Sequence, residues 1–453
     1  MKKISLYLSA SVLALTIASP VFAATPDELQ KRVDDLEATV DALRSEIADI
    51  RKQPEFKPSP AFQTSKGDYA FKVRGQIAID AGGFSTKSGK ADLNSGTDIP
   101  RARLGVDGTI DTDWQYRLEA DFSKASRDDV TTGSELDVKD AYVTYSGFGE
   151  QWKVTAGQQK TPNTLERVNP SSDLLFVAVP LAVEAFTNRS TAGGDYKIGA
   201  AVNYTDINWT ATGGVFGENL GAQGGSSATS KDEGWGPAAR LTWAPINKND
   251  AVLHLGASGY YRTTGGRGNV QFRTGPESTV DTSQRLVDTG KLAATNYWFA
   301  GAELAGVYGP LFLQSEYGKT HVNLTNYSST WKTSSLDFDG GYAEVAYALT
   351  GESRPYKGGS FSRILPKQKF SFSKGGWGAW EVAARYSTVD LTDGLFRGGK
   401  ETNWSGGLNW YPNNYVRVLA NYIHYDAKDS YIAPVGTPYN KGDAFITEIG
   451  VIW

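Results

Sequence analysis

The last ten residues, Ala444–Trp453, constrain the fold of this chain more than any other stretch. One face of this segment carries Phe445, Thr447, Ile449, Val451 and Trp453, and the other carries Ala444, Ile446, Glu448, Gly450 and Ile452. Such a period of two is typical of a β-strand. A bacterial outer-membrane β-barrel closes with a strand that is apolar outside, mixed inside and aromatic at the membrane interface. The segment therefore predicts about fifteen further strands of the same kind.

The composition favours one large barrel over soluble domains or membrane helices. The 453 residues include 50 Gly, 23 Tyr, 19 Phe and 12 Trp, so the chain is rich in turns and aromatic side chains. After residue 23 no run of about 18 apolar residues occurs, which excludes further membrane helices but not strands that hide alternate residues. The absence of cysteine excludes disulfides and cysteine-based metal or redox sites. A net charge of −4 argues against nucleic-acid binding.

The first 67 residues divide into three predicted segments. Residues 1–23 combine two lysines, an apolar run and a small residue before the expected cut, which predicts a signal peptide. Residues 24–53 open with a helix-capping pattern and predict a periplasmic coiled coil. Its apolar positions, spaced alternately by four and three residues, are Leu29, Val33, Leu36, Val40, Leu43, Ile47 and Ile50. Prolines make residues 54–67 a stiff linker, which leaves 68–453 for the barrel.

Period-two alternation recurs from Tyr69 onward and predicts an all-β transmembrane barrel of about 16 antiparallel strands. The predicted segments lie near 69–80, 99–110, 114–123, 136–146, 152–158, 196–205, 207–216, 235–243, 251–262, 296–308, 311–320, 336–349, 379–390, 403–410, 415–425 and 444–453. Short connections alternate with long ones, as periplasmic turns alternate with external loops. Residues 350–378 break this rule, which means either an elaborate turn or a strand count that is wrong by two.

The predicted strands contain several long strings, Arg101–Thr109, Val138–Tyr145, Ala156–Pro162, Tyr347–Tyr356, Gly375–Ser387 and Gly407–Tyr411. Together these strings resemble the phosphate-selective porin O/P family. The resemblance implies a 16-stranded trimeric outer-membrane porin whose basic pore lining passes phosphate or polyphosphate. It also implies that the loop at 159–195 folds inward as a constriction. The heptads by themselves favour two strands, but we expect the coil to follow the trimer of the barrel.

Basic residues of inward parity and of the predicted constriction loop are candidates for lining the pore and binding anions. These candidates are Lys72, Arg74, Arg101, Arg103, Arg117, Lys160, Arg167, Arg189, Arg240 and Arg385. The cluster Lys72, Arg74, Arg101 and Arg103 on adjacent strands is the best anion track. Structural pairing with Glu119 and Asp121 on the third strand explains the same pattern equally well. Rows of arginine facing carboxylates also suit a general porin, whereas dehydrating phosphate requires excess positive charge at a narrow point.

Neither catalysis nor a cofactor or metal site is expected. The three histidines, His254, His321 and His424, lie in no recognisable catalytic motif. We expect an outer-membrane channel for passive diffusion of small hydrophilic solutes, anions such as phosphate first, with outer-membrane lipid as its surroundings. One alternative is a general or sugar-admitting porin with weak ion selectivity. Another is a structural tether that acts through a periplasmic partner of the coiled coil.

Overall fold

The computed structural model describes residues 39–40, 59, 61–64, 68–123, 136–187, 195–220, 232–430 and 437–453. The chain divides into two units, Met1–Pro58 and Ser59–Trp453. In the first unit only Thr39 and Val40 are described, and both are helical. The predicted signal peptide, nearly all of the predicted coiled coil and much of the predicted linker lie outside the described residues, so these assignments stay predictions.

In the second unit, sixteen antiparallel strands form one closed barrel, as the sequence predicts. The strands are β1 (Tyr69–Ser88), β2 (Gly96–Ile110), β3 (Trp114–Asp121), β4 (Asp137–Tyr145), β5 (Trp152–Lys160), β6 (Tyr196–Thr205), β7 (Trp209–Phe216), β8 (Gly236–Lys248), β9 (Ala251–Thr263), β10 (Leu292–Tyr308), β11 (Leu311–Ser328), β12 (Thr333–Ala348), β13 (Ala379–Asp393), β14 (Phe396–Tyr411), β15 (Val416–Ser430) and β16 (Thr437–Ile452). Each strand pairs with the next, and β16 pairs back to β1, with Val451 opposite Ile77. Among the described residues, no helix is long and apolar enough to cross a membrane.

Alternation along each strand separates an apolar outer face from a polar inner one. In β16, Phe445 and Ile449 are 54% and 53% exposed on the outside, whereas Glu448 is completely buried on the inside. A lipid-facing residue of a membrane barrel is exposed in an isolated chain because acyl chains, not protein, cover it. The period-two pattern thus predicted both the strands and their facing.

The carboxyl-terminal residue closes the barrel against a glycine of the first strand. The backbone of Trp453 exchanges two hydrogen bonds of 3.1 Å with Gly75. The Trp453 indole covers the outer face of Gly75, in the space that a side chain at residue 75 would occupy. Glycine at residue 75 is therefore a packing requirement of the seam.

Replacing Gly75 by valine should weaken this seam by about 1–3 kcal/mol, because the added side chain displaces the indole. Unfolding of the purified barrel in urea, followed by the loss of its heat-resistant gel mobility, measures the effect. Gly213→Val is the matched control, since Gly213 also faces outward on β7 and an added Cβ there meets no atom within 4 Å. Equal losses in the two variants would contradict a special role for the Gly75 seam.

The connections follow the predicted alternation, with one elaborate exception. The first strand begins, and the last strand finishes, on the side of the barrel that carries short turns such as 309–310 and 412–415. At this same end, residues 349–378, here called the turn-side connection, contain two short paired strands, Tyr356–Lys357 and Ser360–Phe361. The predicted count of strands is therefore right, and the turn is long.

At the opposite, loop end several strands run further than predicted. For example, β1 extends to Ser88, and β15 extends to Ser430. Backbone pairing does not require apolar side chains, so the ladder continues where the outer face becomes polar and the alternation of hydrophobicity fades.

Three segments fill much of the barrel interior. The inner loop, described over residues 161–187 and at Asp195, carries two short helices, α1 (Leu165–Val168) and α2 (Leu181–Thr187). Its Phe186 packs with Phe272 of the connection 264–291 and with Phe299 of β10. Its Leu165 and Phe176 pack in one buried cluster with Phe361 of the turn-side connection. The segments lie against β8–β16, whose inward side chains are consequently buried.

Candidate functional site

The inner wall formed by β1–β5 remains the most open part of the lumen, and it is strongly charged. Here Arg74, Arg117 and Asp107 are each about a third exposed: their side chains are 32%, 33% and 36% accessible. Under the inner segments, by contrast, Arg385 and Arg417 are only 1% accessible. The side chains of Arg74, Arg117 and Asp107 are therefore accessible from the lumen.

Arginines and carboxylates alternate across this open wall. The Arg74 guanidinium lies 3.0 Å from Glu119, two strands away, and 3.7 Å from Asp107. Arg74 reaches Glu119 across Gly105, which is paired with both residues on the intervening strand and presents no side chain between them. A Cβ at Gly105 would lie 2.7 Å from the Leu118 carbonyl oxygen, so the gap depends on glycine.

The neighbouring arginines are paired in the same way. Arg103 lies 2.9 Å from Asp121, and Arg117 lies 2.6 Å from Asp107 and 3.7 Å from Asp140. These contacts include the pairing with Glu119 and Asp121 that the sequence left open as an alternative. Pairing and solute contact are compatible for Arg74 and Arg117, because both guanidinium groups keep accessible surface.

Four lysines add positive charge to the open wall. Lys72 is exposed, and within the described part of the chain neither Lys72 nor Lys153 forms an ion pair. Lys139 lies 2.7 Å from Asp137, and its ammonium group is over the Tyr196 ring. The Lys160 ammonium donates to the carbonyl oxygens of Arg167 and Asn169, at 2.8 and 3.2 Å, and so joins the wall to the inner loop.

Arg167 belongs to the internal framework of the inner loop. Its guanidinium contacts Asp195 at 2.7 Å and Glu184 at 3.2 Å. Burial acts to lower the pKa of Arg167, but Asp195 and Glu184 outweigh it and hold that pKa above its usual value. Arg167 therefore stays charged and ties both ends of the loop together.

Three further sequence candidates lie beneath the inner segments. Arg101 binds Glu448 at 2.9 Å and donates to the Val177 carbonyl oxygen. Arg240 makes a two-pronged contact with Glu303 and donates to the Gly359 carbonyl oxygen. Arg385 binds Glu277 at 2.7 Å. These three side chains offer little surface to a passing solute, because they attach the inner segments to the wall.

The candidates thus fall into two groups. Lys72, Arg74, Arg103, Arg117 and Lys160 lie at or beside the open wall, and Arg101, Arg167, Arg240 and Arg385 hold the segments that narrow it. Arg189 lies outside the described residues. The sequence did not single out Lys139, whose facing depends on a β-bulge. It also missed Arg354 and Arg363, which lie in a connection without strand periodicity.

The described residues contain no group of three or more His, Cys, Asp or Glu side chains that could hold a metal ion. His254 is buried between Glu303 and Tyr356, and His424 contacts Asp443 on the outer face. The arrangement of charges is that of a charged passage through the barrel.

A closed sixteen-stranded barrel with an apolar outer belt and a charged lumen narrowed by inward segments defines a porin, a diffusion channel of the bacterial outer membrane. Residues 71–444 match the family described as phosphate-selective porin O and P, and the chain belongs to this family.

Two relatives by sequence match most or all of the chain. The chain is 26% identical to Porin O of Pseudomonas aeruginosa over 492 aligned positions, with 100% of both chains covered. It is also 30% identical to an uncharacterized protein of Caulobacter vibrioides, over 86% of this chain and 73% of the relative.

Solved structures support the fold. Outer-membrane expressed OmpT of Vibrio cholerae is 12% identical, with a TM-score of 0.53 over 87% of this chain and 100% of that chain. An anion-selective porin from Comamonas acidovorans is also 12% identical, with a TM-score of 0.50 over 85% of this chain and 99% of that chain. At such identities the likeness establishes the barrel fold alone.

Proposed function

We propose that this porin passes small hydrophilic anions, phosphate foremost, along the open wall of β1–β5. The observation that carries the proposal is the difference between the open wall and the parts of the lumen that the inner segments cover. Arginines under the inner segments are buried and matched by carboxylates, whereas Arg74 and Arg117 keep about a third of their surface. Guanidinium groups donate paired, charge-assisted hydrogen bonds that suit phosphate oxygens.

Among the described residues of this wall, eight inward basic groups face seven carboxylates, a small excess that is consistent with a preference for anions. The basic side chains are Lys72, Arg74, Arg101, Arg103, Arg117, Lys139, Lys153 and Lys160, and the carboxylates are Asp80, Asp98, Asp107, Glu119, Asp121, Asp137 and Asp140. Membership of a family of phosphate-selective porins, and the anion-selective porin of Comamonas acidovorans among the similar barrels, are consistent with anion passage.

A general or sugar-admitting porin with weak ion selectivity is the second candidate. The pairing of Arg74, Arg103 and Arg117 with carboxylates favours it, because alternating charges orient dipolar solutes without enriching anions. The two candidate functions differ in the net charge of the pore wall along the path of a permeating ion.

We further propose that residues 1–23 are a signal peptide, that 24–53 form a periplasmic coiled coil and 54–67 a linker, and that barrels 68–453 assemble as trimers. A solved structure of Vibrio cholerae OmpT is described as a trimer form, and it shares 14% identity with this chain. The helical state of Thr39 and Val40 is consistent with the coil.

The zero-current potential of the purified protein in a planar bilayer under a KCl gradient tests the proposal, with phosphate added as a blocker of chloride current. We expect anion selectivity and phosphate block in the unaltered protein. Arg74→Gln with Arg117→Gln should weaken the block about tenfold or more and shift the potential towards cation selectivity, since each charged hydrogen bond contributes about 1.5–3 kcal/mol.

Lys319→Gln with Lys332→Gln is the matched control, because it removes the same charge from the outer face and an external turn. A potential near zero with no phosphate block would leave a general porin. An unchanged block in the Arg74/Arg117 variant would exclude this wall as the anion path.

A further inference from the structure

An unusual lysine pair lies on the outer face of the barrel, towards its loop end. Lys400 of β14 and Lys428 of β15 are directly opposite each other in the strand register. Both have the outward parity, since their neighbours Glu401 and Ala427 are completely buried inside. Two like charges directly opposite on adjacent strands repel and destabilise a sheet. An anion bound between the two ammonium groups would offset this repulsion.

Nearby carboxylates do not neutralise this patch. Lys400 lies 3.2 Å from Asp390, but Lys428 is exposed and has no ion pair with any described residue. Arg397, further towards the loop end of β14, donates only to the carbonyl oxygens of Gly394 and Phe396, at 2.6 and 3.0 Å. We call Arg397, Lys400 and Lys428 the outer basic patch. Its positive charge exceeds that of its carboxylate partner.

Three other lysines on the outer face, towards the loop end of their strands, each contact a carboxylate. Lys319 contacts Asp337, Lys441 contacts Asp426 and Lys87 contacts Asp443. Lys428 differs from these three lysines, since it has a second lysine and not a carboxylate directly opposite it.

The patch lies just beyond the aromatic boundary of the apolar belt. Trp404 is 60% exposed and packs against Tyr386 with ring centroids 4.7 Å apart. Lys400 lies four positions before Trp404, which is about 13 Å along the strand. Below Trp404 the outer face of β14 continues with Gly406 and Leu408 to Trp410 at the turn end. Aromatic girdles mark the two membrane interfaces, so the patch lies at the level of lipid headgroups.

We propose that the outer basic patch binds the phosphate groups of an anionic lipid in the outer leaflet. The phosphate would lie between Lys400 and Lys428, with Arg397 as a further donor, and the acyl chains would run down the apolar face past Trp404. A phosphate monoester carries about −1.5 to −2 charges near neutral pH, enough to offset both ammonium groups. A free phosphate ion has no acyl chains and would not contact the apolar surface below the patch.

Binding of diphosphoryl lipid A to the full-length protein in a neutral detergent tests this proposal, with native mass spectrometry used to count retained lipid. Lys400→Gln with Lys428→Gln should weaken binding of lipid A about tenfold at low salt, because each lysine contributes part of the electrostatic attraction to the anionic lipid. Lys369→Gln with Lys374→Gln is the control. Both of these lysines are exposed at the turn end, and the change in net charge is the same.

Two outcomes would overturn the proposal: equal binding by both double variants, or displacement of the lipid by equimolar inorganic phosphate. The second would show that the patch recognises phosphate itself and not the lipid.

Thermal unfolding gives an independent readout that a merely structural role would not produce. Lys428→Gln should raise the midpoint temperature in detergent alone, because it removes the repulsion with Lys400. The same substitution should reduce the further increase that lipid A produces in the unaltered protein. A lower midpoint without lipid, or an undiminished lipid effect, would contradict the proposal. Channel conductance should be unchanged, since the patch faces away from the lumen.

Discussion

Glu448→Gln should destabilise the barrel by about 3 kcal/mol or more and release the inner loop. Glu448 is completely buried and binds two arginines, Arg101 at 2.9 Å and Arg417 at 2.8 Å. Glutamine preserves the volume but removes the charge, so two buried guanidinium groups lose their counterion. Removing one partner of a buried ion pair costs about 3–5 kcal/mol for this reason.

The loss should also reach the channel, because the same two arginines hold the inner loop. Arg101 donates to the Val177 carbonyl oxygen, and Arg417 donates to those of Ser172 and Leu174. Without Glu448 the two guanidinium groups repel each other, and these contacts weaken together. We expect larger fluctuations of the single-channel current as the loop moves.

Urea unfolding in detergent and single-channel recording measure the two effects. The matched control is Glu401→Gln, because Glu401 is equally buried but forms no ion pair with any described residue. Removing that charge should be neutral or stabilising, since burying an unpaired polar group is unfavourable. If the two variants lost equal stability, the network around Glu448 would not be the cause.

Shortening the turn-side connection should increase single-channel conductance at least about twofold, because this connection occupies space that a sixteen-stranded barrel otherwise leaves to water. Arg354 binds Glu381 at 2.8 Å, and Arg363 binds Asp173 of the inner loop at 3.0 Å. Phe361 packs beside Phe312 with ring centroids 5.1 Å apart. The connection therefore supports the inner loop from the turn end.

The informative variant replaces residues 353–366 by a short Gly-Ser turn and also carries Glu381→Gln, because Glu381 is buried and would otherwise keep an unpaired charge. Glu381→Gln by itself, with the connection intact, is the control for this second change. Conductance in KCl is the measurement, after gel mobility has shown that the barrel is folded. An unchanged conductance would mean that the connection does not border the water-filled path.

Much of the fold could be predicted from the sequence, because every second residue of a strand in a membrane barrel faces the lipid and is mostly apolar. The sixteen strands and the outward belt that includes Phe445 and Ile449 follow from local alternation. The ends of strands were less predictable. At Ser88 and Ser430, for example, backbone pairing continues after the apolar pattern has ended.

The roles of the inward arginines could not be predicted in the same way. The alternation along the strands predicts that Arg74 and Arg385 both face the lumen. In the structure, however, Arg74 lies on the open wall, whereas Arg385 lies under Glu277 and the Ala178 carbonyl oxygen. The difference arises from connections that have no periodicity and fold back over the wall. No local signal marks which arginine they cover.

The sequence by itself determined the barrel, its number of strands and the separation of apolar from charged faces, because these depend on contacts between neighbouring strands. Only the tertiary structure decided which part of the lumen stays open and which basic side chains are accessible from it. Those outcomes depend on contacts between residues far apart in the chain, such as Arg101 with Glu448 and Arg354 with Glu381. Burial and pairing of charges are set by such distant partners, and no stretch of sequence contains both.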